Sequence, residues 1–135
     1  MTHRHARGER GAVAVEFALV SVILVTLLLG IIQFSLWFWA WQVGSHAARE
    51  ASRVGAVDPC NTAKISDTGI DRLNGTPGNG KSVTVNRPAG GKVGEVLTVT
   101  IKFNAVDLGF FPGFTGAVDK RATTRIEYVP TGATC

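Results

Sequence analysis

The sequence predicts an α+β protein: a long N-terminal transmembrane helix extending into a small extracytoplasmic domain with a roughly three-stranded antiparallel sheet. Three observations carry this. From Phe17 to Trp41 the run FALVSVILVTLLLGIIQFSLWFWAW holds no ionisable side chain. After Pro59 the pattern changes to alternation with period two, clearest in VLTVTIKFNA, residues 96–105. Both cysteines, Cys60 and Cys135, follow the apolar run.

About 20 apolar residues cross a bilayer core, so a run of this length spans one with some tilt. In a chain of 135 residues too little protein remains to cover such a helix on all sides. Arg4, Arg7 and Arg10 precede the run with only Glu9 against them, and positive charge beside a span stays cytoplasmic. At the far end Trp37, Phe38, Trp39 and Trp41 crowd together, as amphipathic rings do at a headgroup boundary. The expected topology is a single pass through the cell membrane, N-terminus inside and C-terminal domain outside.

The helix is expected over 12–56, membrane-spanning to about residue 41. A stripe of small residues, Ala40, Gly44, Ala47 or Ala48, Ala51 and Gly55, continues outward at spacings of three and four. Traced backward it meets Thr26, Gly30, Gln33 and Trp37. Such a stripe lets helices approach closely in lipid, so Gly30, Gln33, Gly44, Ala47 and Ala51 are candidate helix-packing residues. Between 44 and 55 docking on the chain's own domain is an equal alternative. Arg49, Glu50 and Arg53 lie off the stripe, and Asp58-Pro59-Cys60 ends the helix.

Residues 61–74 read as a short helix with Ile65, Ile70 and Leu73 inward, although Gly69 argues against helix. NGTPGNG is a turn, SVTVN a strand over 82–86, and RPAGGKVG a hairpin connection. In the strand 96–105, Leu97, Val99, Ile101, Phe103 and Ala105 share one face. ATTRIEYV, residues 122–129, is expected as the third strand with Ile126 and Tyr128 on one face. Phe110, Phe111 and Phe114 of the intervening segment are expected to turn inward as core plugs, an exposed hydrophobic patch being the alternative.

A cysteine pair outside the cytoplasm reads as a disulfide between Cys60 and Cys135, two unpaired thiols being the alternative. The net charge of +4 divides unevenly: three arginines and one acid in residues 1–11 account for half of it. Basicity here reports topology, not affinity for nucleic acid.

Catalysis is not expected. His3, His5 and His46 all precede the outer domain, so the domain alone cannot assemble a Ser-His or Cys-His pair. His3-x-His5 lacks further metal ligands, the outer acids are scattered, and NGTPGNGK lacks the spacing of a phosphate-binding loop. No metal and no cofactor is expected.

One acid needs an explanation. Glu16 stands just inside the apolar run, where most membrane helices avoid charge. If the chain is cut after Gly11, Ala12 carries a free ammonium and Glu16 becomes the fifth residue. An ammonium at the end of an apolar helix and a carboxylate one turn further in form a matched pair, within a subunit or between staggered helices. If the chain stays intact, Glu16 is an interfacial acid near the arginines.

The stretch GAVAVEF, Gly11 to Phe17, resembles the processing site of Flp-class type IV prepilins, in which cleavage follows a glycine and a glutamate and an aromatic stand fifth and sixth. GAVAVEFALV, a membrane span and then AAREASR, Ala47 to Arg53, are together similar to the TadE-like family of minor pilins or pseudopilins in tight-adherence pilus systems. Ser52 departs from the glycine that many relatives carry there. The resemblance covers about the first 55 residues. It implies Gly11 as the scissile position, Ala12 as the new terminus, Glu16 as the acid needed for processing or assembly, and Phe17 as its aromatic neighbour.

The expected organisation is a basic leader, 1–11, the long helix, 12–56, and the outer domain, 57–135. The expected function is a pilin-like subunit with a prepilin peptidase, other pilin or minor pilin subunits, the assembly platform and the membrane as partners. The alternative is an uncleaved, anchored binding module that engages a ligand through its FFPGF loop. Cleavage by ordinary signal peptidase is disfavoured, because the apolar run exceeds a normal signal core.

Overall fold

The computed structural model describes residues 6–87, 90–111, 113–133 and 135. The His3 and His5 tail and Arg4 lie outside the described residues, as do Pro88 and Ala89 of the hairpin connection. The elements follow in the order α1 (Ala6–Val57), α2 (Thr62–Leu73), β1 (Gly78–Asn86), β2 (Val96–Ala105) and β3 (Ala117–Arg125). The chain divides into two units, Met1–Ser35 and Leu36–Cys135.

The first unit is the N-terminal part of α1. From Gly11 to Ile32 not one residue is buried, although Val, Leu, Ile and Phe dominate the stretch. So much continuous apolar surface does not survive in water, and the helix is long and apolar enough to cross a membrane once. Its hydroxyls fit that solvent. Ser21 donates to the Ala18 carbonyl at 2.9 Å, Thr26 to Val22 at 2.8 Å and Ser35 to Ile31 at 2.7 Å. Each of these hydroxyls thus finds its partner on the same helix, as hydrocarbon requires. The helix starts at Ala6, six residues before the expected boundary, because nothing between Ala6 and Gly11 breaks it.

The second unit holds the rest of α1, α2 and a three-stranded antiparallel sheet in the order β1-β2-β3. Leu97, Val99, Ile101, Phe103 and Ala105 of β2 are buried, and they pack with Ala40, Ala47, Ala48 and Ala51 of α1 and Ile65 and Leu73 of α2. Both helices therefore cover the sheet. The opposite face is polar, with Thr84, Thr100 and Arg121 in one cross-strand row. Lys102 and Asp119, directly paired, lie 3.4 Å apart on that exposed face, where an ion pair contributes little.

α2 forms as expected and Gly69 explains itself. A Cβ there would sit 3.0 Å from Val83 and 3.5 Å from Ala51, so glycine lets α2 lie close to both β1 and α1. The buried residues are Ile65, Gly69 and Leu73, spaced by four, and Ile70 is half-buried. Asn61 caps the start by accepting from the Lys64 amide at 3.0 Å. Lys81 caps the end by donating from Nζ to the Leu73 carbonyl at 2.9 Å.

Three expectations need correction. β1 begins at Gly78, four residues early, and a bulge between Asn79 and Ser82 absorbs the glycine-rich turn into the strand. β3 covers Ala117–Arg125, not 122–129, since pairing with β2 starts at Ala117 opposite Asn104. Ile126 is buried but Tyr128 is 55% exposed, because the chain leaves the sheet there. The Glu127 and Tyr128 amides instead donate to the Ala56 carbonyl at 2.8 and 3.1 Å, closing the C-terminus of α1. Finally, no phenylalanine of the 107–116 segment joins the buried core: Phe110 is 52% exposed, and Phe111 and Phe114 are half-buried.

Candidate processing and assembly site

Gly11, Ala12, Glu16 and Phe17 all lie on α1, in its first unit. Gly11 is open on every side, as a Cβ built on it meets no atom within 4 Å. Glu16 is exposed, and Phe17 is 71% exposed. Ala12 and Glu16 are four residues apart, so they share a helix face with about 6 Å of rise between them. A positive terminus created at Ala12 would stand within one turn of the Glu16 carboxylate, and an acid in the first turn also suits the helix dipole. The Gly11–Ala12 bond is helical here, so a protease acting on it would have to unwind the turn around it. Glycine lowers that cost by about 1 kcal/mol relative to alanine.

The candidate packing stripe divides in two. Gly30 is half-buried and Gln33 is 3% exposed. Gly44 faces the chain's own sheet, and Ala47 and Ala51 are buried in the core, Ala51 beside Gly69 of α2. A Cβ on Gly44 would lie 3.1 Å from both Phe103 and Val118, and one on Gly55 would lie 2.8 Å from Leu97. Of the two uses open to residues 44–55, docking on the domain occupies this surface. The departure at Ser52 is accommodated locally, its hydroxyl donating to the Arg49 carbonyl at 2.8 Å.

Cys60 and Cys135 form a disulfide, with Cα atoms 4.7 Å apart. It ties the chain's last residue to the turn after α1. Gly91 of the hairpin connection lies against it, since a Cβ there would sit 2.7 Å from the Cys135 sulfur.

Other contacts had no local signal in the sequence. Besides its local pair with Arg53, Glu50 meets Arg72 of α2 at 3.5 Å. Lys120 of β3 places its ammonium 3.3 Å from the centre of the Trp41 ring. Burial lowers the pKa of that ammonium from its ordinary value, and the neighbouring Asp119 opposes the shift. Among the described residues no group of three or more His, Cys, Asp or Glu is arranged to hold a metal ion.

The chain thus joins an apolar helix, long enough for a single-pass membrane anchor, to a small disulfide-tied α+β head. Residues 11–53 match the family model TadE, TadE-like protein, and in this stretch the chain is similar to that family. The TadE-like family is a structural family of the Tad pilus and is not known as enzymatic. No curated protein and no solved structure matches the chain.

Proposed function

We propose that this chain is a pilin-like structural subunit, a minor pilin or pseudopilin, cut after Gly11 by a prepilin peptidase and then incorporated into a tight-adherence type IV pilus or its assembly platform. In this reading the leader is cytoplasmic and the head is extracytoplasmic. One observation carries it: Gly11, Ala12, Glu16 and Phe17 fall together inside the TadE-like match, near the start of a helix on which no residue from Gly11 to Ile32 is buried. The cut creates an ammonium at Ala12, and Glu16 neutralises it within the subunit or on a neighbouring helix. In a low-dielectric setting an unpaired charge is expensive, so this pairing sets the register between subunits.

The exposure of Phe110 favours the competing reading, an uncleaved anchored module that binds through its FFPGF loop. Glu16 variants test the assembly claim. Glu16→Ala and Glu16→Gln are expected to insert normally but to lose copurification with partner subunits, since stripping one member of a buried charge pair costs about 2–5 kcal/mol. Normal assembly by both variants would show that Glu16 is only an interfacial acid.

A further inference from the structure

We propose that the β2–β3 loop, residues 106–116, seats Phe110 in the lipid interface beside the aromatic residues that flank the apolar run of α1. The placement follows from contacts within the second unit. Gly55 packs on Leu97 and Gly44 packs on Phe103, so residue numbers rise along β2 as they fall along α1. The helical stretch measures about 17 Å and the strand stretch about 20 Å, so the two run side by side. Ala105 lies two residues, or about 7 Å, beyond Phe103, level with about residue 40 of the helix. Ala40 and Ala105 indeed share one core cluster. The loop that follows is closed at its base by the Ala105 amide, which donates to the Gly116 carbonyl at 2.9 Å. It therefore hangs at the level of Trp37, Phe38, Trp39 and Trp41.

Its chemistry matches that level. The sequence VDLGFFPGFTG carries one ionisable side chain, Asp107, and three phenylalanines. Asp107 accepts from the Gly109 amide at 2.8 Å, and Gly109 has φ +73°, so the chain turns sharply between Leu108 and Phe110. Both flanking side chains face outward, Leu108 at 39% and Phe110 at 52% exposure. Phe38 and Trp39 are exposed to a similar degree on α1, and Trp41 at 36% carries the Lys120 ammonium over its ring. Apolar tips, an aromatic belt and a cation at one level are what a headgroup boundary accommodates. The occupant is lipid, because Trp37, Phe38, Trp39 and Trp41, at whose level the loop lies, end the apolar run in the sequence. Contact with the membrane holds whether or not the leader is removed.

Photo-crosslinking tests this on the full chain in vesicles of phosphatidylethanolamine and phosphatidylglycerol. With p-benzoylphenylalanine in place of Phe110, illumination is expected to give a one-phospholipid mass adduct as the main product. The same probe in place of Val93, 63% exposed in the β1–β2 connection at the other end of the sheet, is expected to give none. Hydrogen exchange of the β2 amides verifies that both probed chains keep the fold. Crosslinks from position 110 to a second copy, equal lipid adducts at both positions, or no lipid adduct at 110 would each overturn the proposal.

Discussion

Leu97→Ala is expected to destabilise the head by about 3–5 kcal/mol, as truncation of a fully buried leucine leaves a cavity that the surroundings only partly fill. The site is the junction of three elements. Leu97 of β2 is wholly buried, and its two methyl groups approach Gly55 of α1, while Ile65 of α2 closes the same space. This geometry makes a sharper prediction for Gly55→Ala. Alone, the change gains about 1 kcal/mol of helix propensity but drives a Cβ to 2.8 Å from the fully buried Leu97 side chain, which must shift to make room. With Leu97→Ala those methyls are gone, and Gly55→Ala becomes stabilising. The coupling between the two sites should reach on the order of 1–3 kcal/mol, measured by hydrogen exchange of β2 amides in the full chain in micelles. Additive effects would mean that α1 does not rest on β2 at this point.

Removing the disulfide by Cys60→Ser with Cys135→Ser is expected to cost about 4 kcal/mol, the chain-entropy value for a bridge of this span. The two cysteines are 75 residues apart, so the bridge spans most of the head. For a domain of this size the loss lowers Tm by roughly 15–30 °C. The tail should loosen first, because the Glu127 and Tyr128 amides reach Ala56 on the segment that the bridge holds. Thermal unfolding with and without dithiothreitol measures it, and an unchanged Tm on reduction would contradict the bridge.

Which parts of this structure were legible in the sequence follows from how local each cause is. The apolar run, the alternation of residues 96–105 and the stop at Asp58-Pro59 are local patterns, and each reappears in the fold. The start of β3 was not legible, because Ala117 joins the sheet by facing Asn104 and not through any pattern of its own. Gly69 weakened the reading of α2 for the same reason: its use depends on Val83 and Ala51, which only tertiary packing brings near. The phenylalanines of the 107–116 segment looked like core because apolar residues usually are, but this loop lies beyond the paired ends of β2 and β3, where the core no longer covers it and Phe110 stays exposed. In the candidate site, the Gly11 and Glu16 spacing was readable, as was the cysteine pair. The assignment of residues 44–55 to the chain's own sheet was not, since a small-residue stripe fits a strand face and a helix face equally well.

The whole functional account turns on an ammonium generated at Ala12. Intact mass of the chain recovered from membranes of cells with an active prepilin peptidase tests this most directly. The account predicts a mass lacking residues 1–11, restored to full length when the peptidase is inactivated. A chain that keeps Arg4, Arg7 and Arg10 in the presence of the active peptidase would contradict it.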